Sequence, residues 1–382
     1  MLEIRASAPG KLILHGEHAV VHGKLAVAAS LDLRASLVLT LNDDAKVKLS
    51  LAELNIDIDF PLSDLPQVSA EGASSTQLDQ PLYQAIHTLV AARDELSEGL
   101  ESRRFAVEAL LYLYCGIVKA TSTQEQDEQS PSGVTINVKS DLPIGAGLGS
   151  SAAYSVCLAS SMLALTRPID AANAADLDAI NAWAFLSESI IHGKPSGLDN
   201  TISCFGGAVS FASGKFNRVS TFQSLEVVLV DTGVPRSTKA LVSGVRERKH
   251  EFPAVMDPLL DSMGHLSQTF LDISQQLAET SDTDPLFTKL ETLMTMNHHM
   301  LNAIGVGHPA LDDVVRLASS LGLAAKLTGA GGGGCAYVLL RPHASEDVKA
   351  KLFAALKEKG LRYWTTSLGG AGVAVERSDA NQ

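Results

Sequence analysis

The sequence contains little cysteine and no long hydrophobic run. Its cysteines are Cys115, Cys157, Cys204 and Cys335, which are widely separated and form no C-x-x-C pair. This spacing argues against a disulfide framework and a zinc site, and it suits a reducing compartment. No apolar stretch approaches membrane-spanning length, and the first residues lack the apolar core of a signal peptide. We therefore expect a cytoplasmic protein with no membrane partner.

Positive charge is also scarce. The chain has 30 Lys and Arg residues against 43 Asp and Glu residues, and its formal net charge is −13. A surface of this sign repels the phosphate backbone, so we expect no nucleic-acid partner. Any site for an anion must then be built locally, from backbone N–H groups and a few cationic side chains.

The chain is long enough for two domains. Its 382 residues exceed one ordinary core, and 46% of them are apolar, which is enough for substantial cores. We place the boundary near Ser224, with domains at 1–224 and 225–382, and we leave open that the last strand returns to the first domain. Polar composition predicts surface loops at 70–81 and 121–132.

Periodicity predicts an α/β (α+β) fold whose second half is an antiparallel α+β sandwich. In the first half we predict a short strand at 2–7 that ends in a turn at 8–10, and helices near 105–119 and 180–191. In the second half we predict strands at 227–230, 323–328, 335–341 and 372–376 and helices at 259–277, 286–293, 311–321 and 345–359.

The most informative stretch is DLPIGAGLGSSAA, from Asp141 to Ala153. Alternating apolar residues predict a strand before it, and apolar residues at helical spacing predict a helix from about Ser151. Glycines permit positive φ and close approach of a ligand, and a helix N-terminus attracts anions. We therefore interpret residues 145–149 as a phosphate cradle, with Ser150 or Ser151 free to hold a metal. A simple serine-capped turn would not need three glycines.

Two common nucleotide loops are excluded. No lysine follows the last glycine, as a Walker loop requires, and the G-x-G-x-G spacing differs from that of dinucleotide sites. A formal G-x-G-x-x-G occurs at Gly329, Gly331 and Gly334, but apolar residues typical of a strand follow it. A dinucleotide fold would need a helix at that point.

Several titratable residues near the N-terminus invite a functional interpretation. Lys11 opens a buried strand, so its ammonium group either faces a phosphate or hydroxyl, or reaches solvent as an edge lysine. His15, Glu17, His18 and His22 match no zinc spacing. We favour His18 as a donor to a substrate, with a hydrogen-bonded structural histidine as the alternative.

Two carboxylates follow the glycine loop. Glu188 lies among apolar residues on a predicted helix, so it either has a partner such as a metal ion or faces solvent. Asp199 lies in HGKPSGLDN, where glycine and proline predict a structured turn. From this segment alone, Asp199 is either a catalytic base or a turn-capping residue.

Three stretches, APGKLILHGEH, LPIGAGLGSSAA and KLTGAGGGG, together resemble the GHMP kinases, the family of galacto-, homoserine, mevalonate and phosphomevalonate kinases. The segments IHGKPSGLDN, VPRSTKALV and NHHMLNAIGVGH are most similar to its mevalonate-phosphorylating members of eukaryotic type. This resemblance covers nearly the whole chain. It implies a two-domain fold with a ribosomal-protein-S5-like N-terminal domain and a ferredoxin-like C-terminal domain.

The resemblance also implies roles for individual residues. Asp199 is the expected base and Lys11 its cationic partner, Ser151 and Glu188 are the expected Mg²⁺ ligands, and His18, Glu17, Arg236 and Asp199 are expected to contact the substrate. The residues expected to bind ATP are Lys11, Asn55, Ser140, Gly145, Ala146, Gly147, Leu148, Gly149, Ser150, Ser151, Thr328 and Gly329.

The function implied is ATP-dependent phosphorylation of the C5 hydroxyl of mevalonate, early in isoprenoid and sterol synthesis. The family further suggests a homodimer and feedback inhibition by prenyl diphosphates. A phosphomevalonate kinase or a galactokinase is the nearest alternative, although a galactokinase is expected to differ in HGEHAVVHG. A non-catalytic binding protein is the alternative from another class, and the presence of Lys11, Ser151, Glu188 and Asp199 argues against it.

Overall fold

A computed structural model of the chain describes residues 2–68, 74–96, 101–122, 133–143 and 145–379. The strands are β1 Leu2–His15, β2 Ala26–Asn42, β3 Lys46–Leu51, β4 Ile56–Pro61, β5 Gly133–Ser140, β6 Ala208–Ala212, β7 Lys215–Val219, β8 Leu225–Asp231, β9 Ala325–Leu327, β10 Cys335–Leu340, β11 Arg362–Leu368 and β12 Ala374–Asp379. The helices are α1 Gln80–Ala91, α2 Glu101–Leu113, α3 Ala120–Ser122, α4 Ser150–Thr166, α5 Ala174–His192, α6 Leu198–Phe205, α7 Thr238–Glu251, α8 Pro253–Glu279, α9 Asp284–Ala303, α10 Pro309–Ser320 and α11 Glu346–Glu358.

The strands of the described residues join into one sheet that runs through both halves of the chain. Its main order is β4-β3-β5-β2-β11-β8-β10-β9, with β1 between β2 and β12, and with the β6–β7 hairpin paired to β2. The β3–β5 pair is parallel and the others are antiparallel. β12 returns to pair with β1, and the halves meet where β11 joins β2 at Leu368 and Leu31. The predicted domain boundary near Ser224 stays a prediction.

Two large hydrophobic cores of the described residues lie against this sheet, and a small third cluster consists of Ala28, Leu198, Ile202 and Val209. The larger core surrounds α4, whose residues are buried on nearly every face because α5, α6, β1 and β2 all pack on it. The second core joins β8, β9 and β10 to α8, α10 and α11. No helix of the described residues is long and apolar enough to cross a membrane.

The prediction for β1 was wrong in one respect that matters for the site. We expected the strand to end at Ser7 in a turn, whereas it continues to His15. The register against β2 shifts between Pro9 and Gly10, so these residues form a bulge rather than a turn. Proline has no N–H to donate to a ladder, and a bulge accommodates it. The continuation of the strand carries Lys11 into the sheet.

Other differences are smaller. In the first half β4 and β7 were not predicted, and in the second half β11 was not predicted. The helix predicted at 105–119 changes at Tyr114 into a π-helical segment, Tyr114–Lys119. Residues 70–73 and 123–132 of the two predicted loops lie outside the described residues, as does Ile144. α1 already begins at Gln80, where Asp79 caps it.

Candidate active site

A cavity of about 780 Å³ lies where the two halves of the chain meet. The first half contributes residues of β1, the glycine stretch before α4, and the ends of α5 and α6. The second half contributes residues of α7 and of the segment after β9. Its polar and charged wall residues are Lys11, Glu17, His18, Glu53, Ser102, Ser140, Ser150, Ser151, Tyr154, His192, Asp199, Arg236 and Thr238.

The glycine loop of residues 145–149 forms one wall of the cavity. Gly145, Gly147 and Gly149 adopt φ of 72°, 75° and 74°, a region that L-residues rarely occupy. α4 begins immediately afterwards, and none of the described side chains caps its N-terminus at Gly149. The first N–H groups of this helix therefore remain available to an anion, as do the partial charges of its dipole. This arrangement suits a phosphate group or another anion.

Lys11 and Asp199 meet at the end of this loop. Lys11 Nζ lies 3.4 Å from Asp199 Oδ2, and the lysine side chain is nearly buried whereas the aspartate is one-third exposed. The Lys11 N–H also donates to Leu148 O at 2.8 Å. A Cβ atom on Gly149 would lie 3.0 Å from Lys11 Cγ, so the glycine lets this pair approach the loop.

Asp199 was expected in a turn, and the structure places it instead in the first turn of α6. Gly197 precedes this helix in the left-handed conformation. A carboxylate in a first helical turn is favoured by the helix dipole. Asp199 is therefore held on a rigid element, with its carboxylate open to the cavity.

Glu188 of α5 is buried beside the pair. Its burial, followed by the negative charge of Asp199, raises the pKa of Glu188 to about 7. Hydrogen bonds from Ser151 and Ser155 and the charge of Lys11 act in the opposite direction. Because the negative charge of Asp199 disfavours the ionised form of Glu188, a cation bound beside Glu188 would be stabilised.

The group around Glu188 fits a magnesium ion. The Ser151 hydroxyl and the Glu188 carboxylate supply the hard oxygen ligands that Mg²⁺ prefers, and Mg²⁺ commonly takes only one or two carboxylates together with phosphate oxygens. Within the described ranges, no group of three or more His, Cys, Asp and Glu side chains is arranged to hold a metal. The donor set therefore suits an ion that the phosphates of a ligand also coordinate.

His192 also lines the cavity, although no pattern in the sequence had led us to predict it as a site residue. This side chain ends α5, and its Nε2 lies 3.0 Å from Ser151 Oγ and 3.9 Å from Glu188 Oε2. Burial lowers the pKa of His192, so its ring favours the neutral form. Its position at the end of the helix that carries Glu188, four residues farther along, was the signal available in the sequence.

Arg236 closes the cavity from the second half. Its Nη2 donates to Ala146 O in the glycine loop, and its Nη1 is buried without a hydrogen-bond partner among the described residues. A Cβ atom on Gly147 or on Gly334 would overlap the guanidinium group. Burial lowers the pKa of Arg236. Gly147 and Gly334 thus leave space for the Arg236 guanidinium group, which has an N–H donor without a partner among the described residues.

The segment after β1 also lines the cavity. His18 adopts a φ of 58°, and its ring Nε2 lies 2.8 Å from Ala330 O, so the protonated nitrogen donates to that carbonyl. Glu17 lines the cavity, but Lys326 binds one of its carboxylate oxygens and Asn297 Nδ2 donates to the other at 2.9 Å. Glu17 is therefore already engaged by protein groups on both oxygens.

Two predicted nucleotide contacts do not line the cavity as the described residues form it. Asn55 ends a short 3-10 helix at Ala52–Leu54, and its neighbours Glu53 and Leu54 line the cavity instead. Thr328 is buried, and its hydroxyl donates to Ile13 O at 2.8 Å.

The remaining predicted nucleotide residues do lie at or near the cavity. Gly329 and Ser140 both line it, and the Ser140 N–H donates to Glu53 Oε1 at 2.9 Å. Ala146, which the cavity wall leaves out, offers its carbonyl to Arg236.

The cavity has an apolar end away from the Lys11–Asp199 pair. Its wall there consists of Leu51, Leu54, Ala106, Val138 and Tyr154. The Tyr154 hydroxyl donates to Ala106 O at 2.9 Å, so that polar atom is already satisfied. An apolar wall beside an anion cradle suits a ligand that has a flat ring at one end and phosphates at the other.

Comparison with known proteins gives consistent results. A protein-family model described as "GHMP kinases N terminal domain" matches residues 112–207, and one described as "GHMP kinases C terminal" matches residues 285–359. Mevalonate kinase of Mus musculus is 40% identical over 386 residues, which cover 98% of this chain and 95% of that protein. Mevalonate kinase of Homo sapiens is 40% identical over 379 residues, covering 97% and 94%.

Solved structures share the fold. The crystal structure of L. major mevalonate kinase in complex with R-mevalonate superposes with a TM-score of 0.67 at 23% identity, covering 96% of each chain. The Methanococcus jannaschii mevalonate kinase gives a TM-score of 0.69 at 21% identity, covering 96% of this chain and 98% of that one.

Proposed function

The chain belongs to the GHMP kinase family and, within it, to the mevalonate kinases, and on that premise we propose that it transfers the terminal phosphoryl group of ATP to the C5 hydroxyl of mevalonate. The observation that carries this proposal is the Lys11–Asp199 pair, 3.4 Å apart, at the end of a glycine loop that opens onto a helix N-terminus. Phosphoryl transfer needs an anion cradle, a base and cations more than it needs covalent chemistry.

Asp199 is the base in this proposal. Its carboxylate is one-third exposed toward the cavity, so an acceptor hydroxyl can reach it and give up its proton. Lys11 places a positive charge beside the same point, where it stabilises the oxygen as negative charge develops. The Lys11 N–H bond to Leu148 O ties this charge to the phosphate loop.

Residues 145–151 are the proposed triphosphate cradle. Their positive-φ glycines expose backbone N–H groups, and α4 adds its free N-terminus. Ser140 and Gly329 lie farther along the same cavity, and the apolar wall near Leu51 and Tyr154 accommodates the base. The predicted contacts of Asn55 and Thr328 with the nucleotide have no support from the cavity wall.

Ser151 and Glu188 are the proposed ligands of Mg²⁺. When bound, Mg²⁺ neutralises charge on the phosphate oxygens. The ion also favours the ionised form of Glu188, whose pKa burial otherwise raises to about 7. We expect Glu188→Gln to raise the Mg²⁺ concentration needed for half-maximal activity, and an unaltered metal dependence would contradict this assignment.

His18 and Arg236 are the proposed acceptor contacts. Arg236 Nη2 lies beside the phosphate loop, and its Nη1 is buried next to Gly334 without a partner among the described residues. A guanidinium group with a free donor suits the carboxylate of mevalonate. His18 also lines the cavity, and the Ala330 carbonyl orients its ring. Glu17, which we predicted as a substrate contact, has both carboxylate oxygens bound by protein groups, and we assign it no direct contact with the acceptor.

The physiological setting follows from the same family membership. We propose a role early in isoprenoid and sterol synthesis, in the cytoplasm. A homodimer and feedback inhibition by prenyl diphosphates stay predictions.

A coupled assay of ADP release tests the proposed function. Purified protein is given Mg²⁺ and ATP with mevalonate, phosphomevalonate, galactose or homoserine in parallel reactions. We expect turnover with mevalonate to exceed that with the other acceptors by orders of magnitude. If another acceptor is phosphorylated faster, that acceptor is the substrate in place of mevalonate. If no acceptor gives ADP release, the result favours a binding protein.

A further inference from the structure

A fully buried ion pair joins the two halves of the chain behind the cavity. The side chains of Glu17 and Lys326 are both 0% exposed, and Lys326 Nζ binds Glu17 Oε1. Lys326 also donates to Leu327 O at 2.7 Å, and Asn297 Nδ2 donates to Glu17 Oε2 at 2.9 Å. Lys326 belongs to β9 and does not line the cavity, whereas Glu17 does.

The ion pair is part of a longer seam between the end of β1 and the β9–β10 region. The Thr328 hydroxyl donates to Ile13 O at 2.8 Å, and the Tyr337 hydroxyl donates to Leu14 O at 3.3 Å. These bonds use backbone carbonyls of β1. Glu17 is the side chain through which the segment after β1 is attached to the same region by charge.

That segment forms the acceptor wall of the cavity. Gly16 has a φ of 88°, and the short 3-10 helix Ala19–His22 follows, in which the Val21 N–H donates to His18 O at 3.0 Å. His18, Val20 and Val21 all line the cavity. Ala19 of this segment is fully buried in the second core, whereas Val21 is half exposed. The position of the side chains that face the cavity therefore depends also on what holds Glu17 and His18.

Stability alone does not explain a buried pair of this kind. Desolvation of two charges offsets much of their attraction, and well-packed apolar residues of the same volume often serve at least as well. Burial indeed lowers the pKa of Lys326, while the charge of Glu17 and its hydrogen bond raise it. An ion pair also restricts the two segments to one arrangement, because burying either charge without its partner strongly destabilises the protein.

We propose that Lys326 is a positioning residue for the acceptor alcohol: its bond to Glu17 fixes residues 16–22, and with them His18, Val20 and Val21, on the cavity wall. The proposal rests on the proposed function, because it assigns this wall to the acceptor and the glycine loop at 145–151 to ATP. Lys326 acts from behind Glu17 and has no contact with either substrate.

The test uses the double variant Glu17→Gln/Lys326→Met. The single change Lys326→Met would leave a carboxylate buried without its cation and would disturb folding. The double variant removes both charges, and the amide oxygen introduced at position 17 can still accept the hydrogen bond from Asn297. We expect the KM for mevalonate to rise by about tenfold while the KM for ATP stays within about twofold.

Leu352→Ala is the matched control. Leu352 is fully buried in the second core, on α11, and lies outside the cavity wall. We expect Leu352→Ala to lower the melting temperature without a selective effect on either KM. The proposal is overturned if the double variant keeps the wild-type KM for mevalonate, or if both KM values rise in parallel as general loosening would cause.

The same assay separates this inference from the proposed function. The wild-type protein is measured first across the panel of acceptors. If it phosphorylates another alcohol in place of mevalonate, the proposed function fails, and the ratio of the two KM values is then measured with that alcohol. A selective rise for whichever acceptor is used supports Lys326 as a positioning residue, and its absence contradicts it.

Discussion

The two glycine-rich loops of this protein have similar composition and different surroundings. In the loop of residues 145–149, a Cβ atom on Gly145 would meet nothing within 4 Å. In the loop of residues 329–334, a Cβ atom on Gly333 would lie 2.7 Å from Val234 O, and one on Gly331 would overlap Val306 O. The first loop leads into α4 and the second into β10.

Glycine therefore has a different role in each of the two loops. In the first loop Gly145 leaves open space close to a helix N-terminus, which a ligand can enter. Gly147 makes room for Arg236, and Gly149 makes room for Lys11. In the second loop most of them let the backbone pack against its own neighbours, and Gly334 makes room for Arg236. Glycine content alone therefore does not identify a binding loop; the element that follows and the space around each missing side chain do.

The largest expected effect concerns the chemistry beside the first loop. Asp199→Asn removes the proposed base while keeping a side chain of the same shape. We expect kcat to fall by about two to four orders of magnitude. ATP affinity, measured by calorimetry, should stay close to that of the wild type because the cradle is intact. Full turnover in the variant would remove Asp199 as the base.

The next effect tests packing in the second loop. Gly331 has a φ of 73°, and its carbonyl neighbour Val306 O accepts a hydrogen bond from the Gly332 N–H at 2.8 Å. We expect Gly331→Ala to lower the free energy of unfolding by about 3 kcal/mol, through strain and displacement of Val306. Gly360→Ala is the control, since Gly360 has a φ of 68° and open space around it. Equal losses in urea denaturation would contradict the packing role.

A pH effect of comparable size is expected beside the first loop. The pKa of Glu188 in the folded protein is about 7, above its ordinary value of 4.5. The folded state then retains a proton that the unfolded state releases, so this stability is complete below pH 4.5 and is lost as the pH rises to about 7. We expect a loss of about 3 kcal/mol between pH 4.5 and 8 in EDTA.

Glu188→Gln provides the comparison for that measurement, because it cannot ionise. Unfolding of both proteins in urea at each pH isolates the contribution of this carboxyl group. The wild-type protein should lose more stability than the variant on going to the higher pH. Parallel profiles would show that Glu188 does not titrate in this range.

The smallest effect distinguishes the loops most sharply. Gly145→Ala should lower the free energy of unfolding by about 1 kcal/mol, the cost of a positive φ for alanine, as should Gly360→Ala. Only the alanine at 145 enters the cavity, so only that variant should bind ATP several-fold more weakly. Unchanged affinity in Gly145→Ala would argue that the first loop does not hold the phosphates.

Local patterns in the sequence predicted much of this arrangement. The glycine loop, the strand before it and the helix after it were all readable, since they depend on residues close in sequence. β1 was predicted too short because Pro9 and Gly10 are typical of a turn, and only pairing with β2 turns them into a bulge. β11 was missed because its place in the sheet depends on pairing with β8 and β2, which are distant in sequence.

The contacts between distant segments could not be read from residue patterns. The proximity of Lys11 and Asp199 was expected only from the family resemblance, because 188 positions separate them and no local periodicity relates them. The engagement of Glu17 by Lys326 was not foreseen, and the predicted substrate contact ignored it. Partners of buried charges are set by tertiary packing, which sequence spacing does not encode.

The central claim is that Lys11 and Asp199 act together on one hydroxyl, and a double-variant cycle tests it most directly. Single-turnover rates of mevalonate phosphorylation are measured for Lys11→Met, Asp199→Asn and the double variant, each saturated with Mg²⁺ and ATP. Groups that act as a unit give strongly non-additive losses. The account predicts that the double variant is scarcely slower than the slower single variant. Losses that multiply would contradict it, because the two side chains would then act independently.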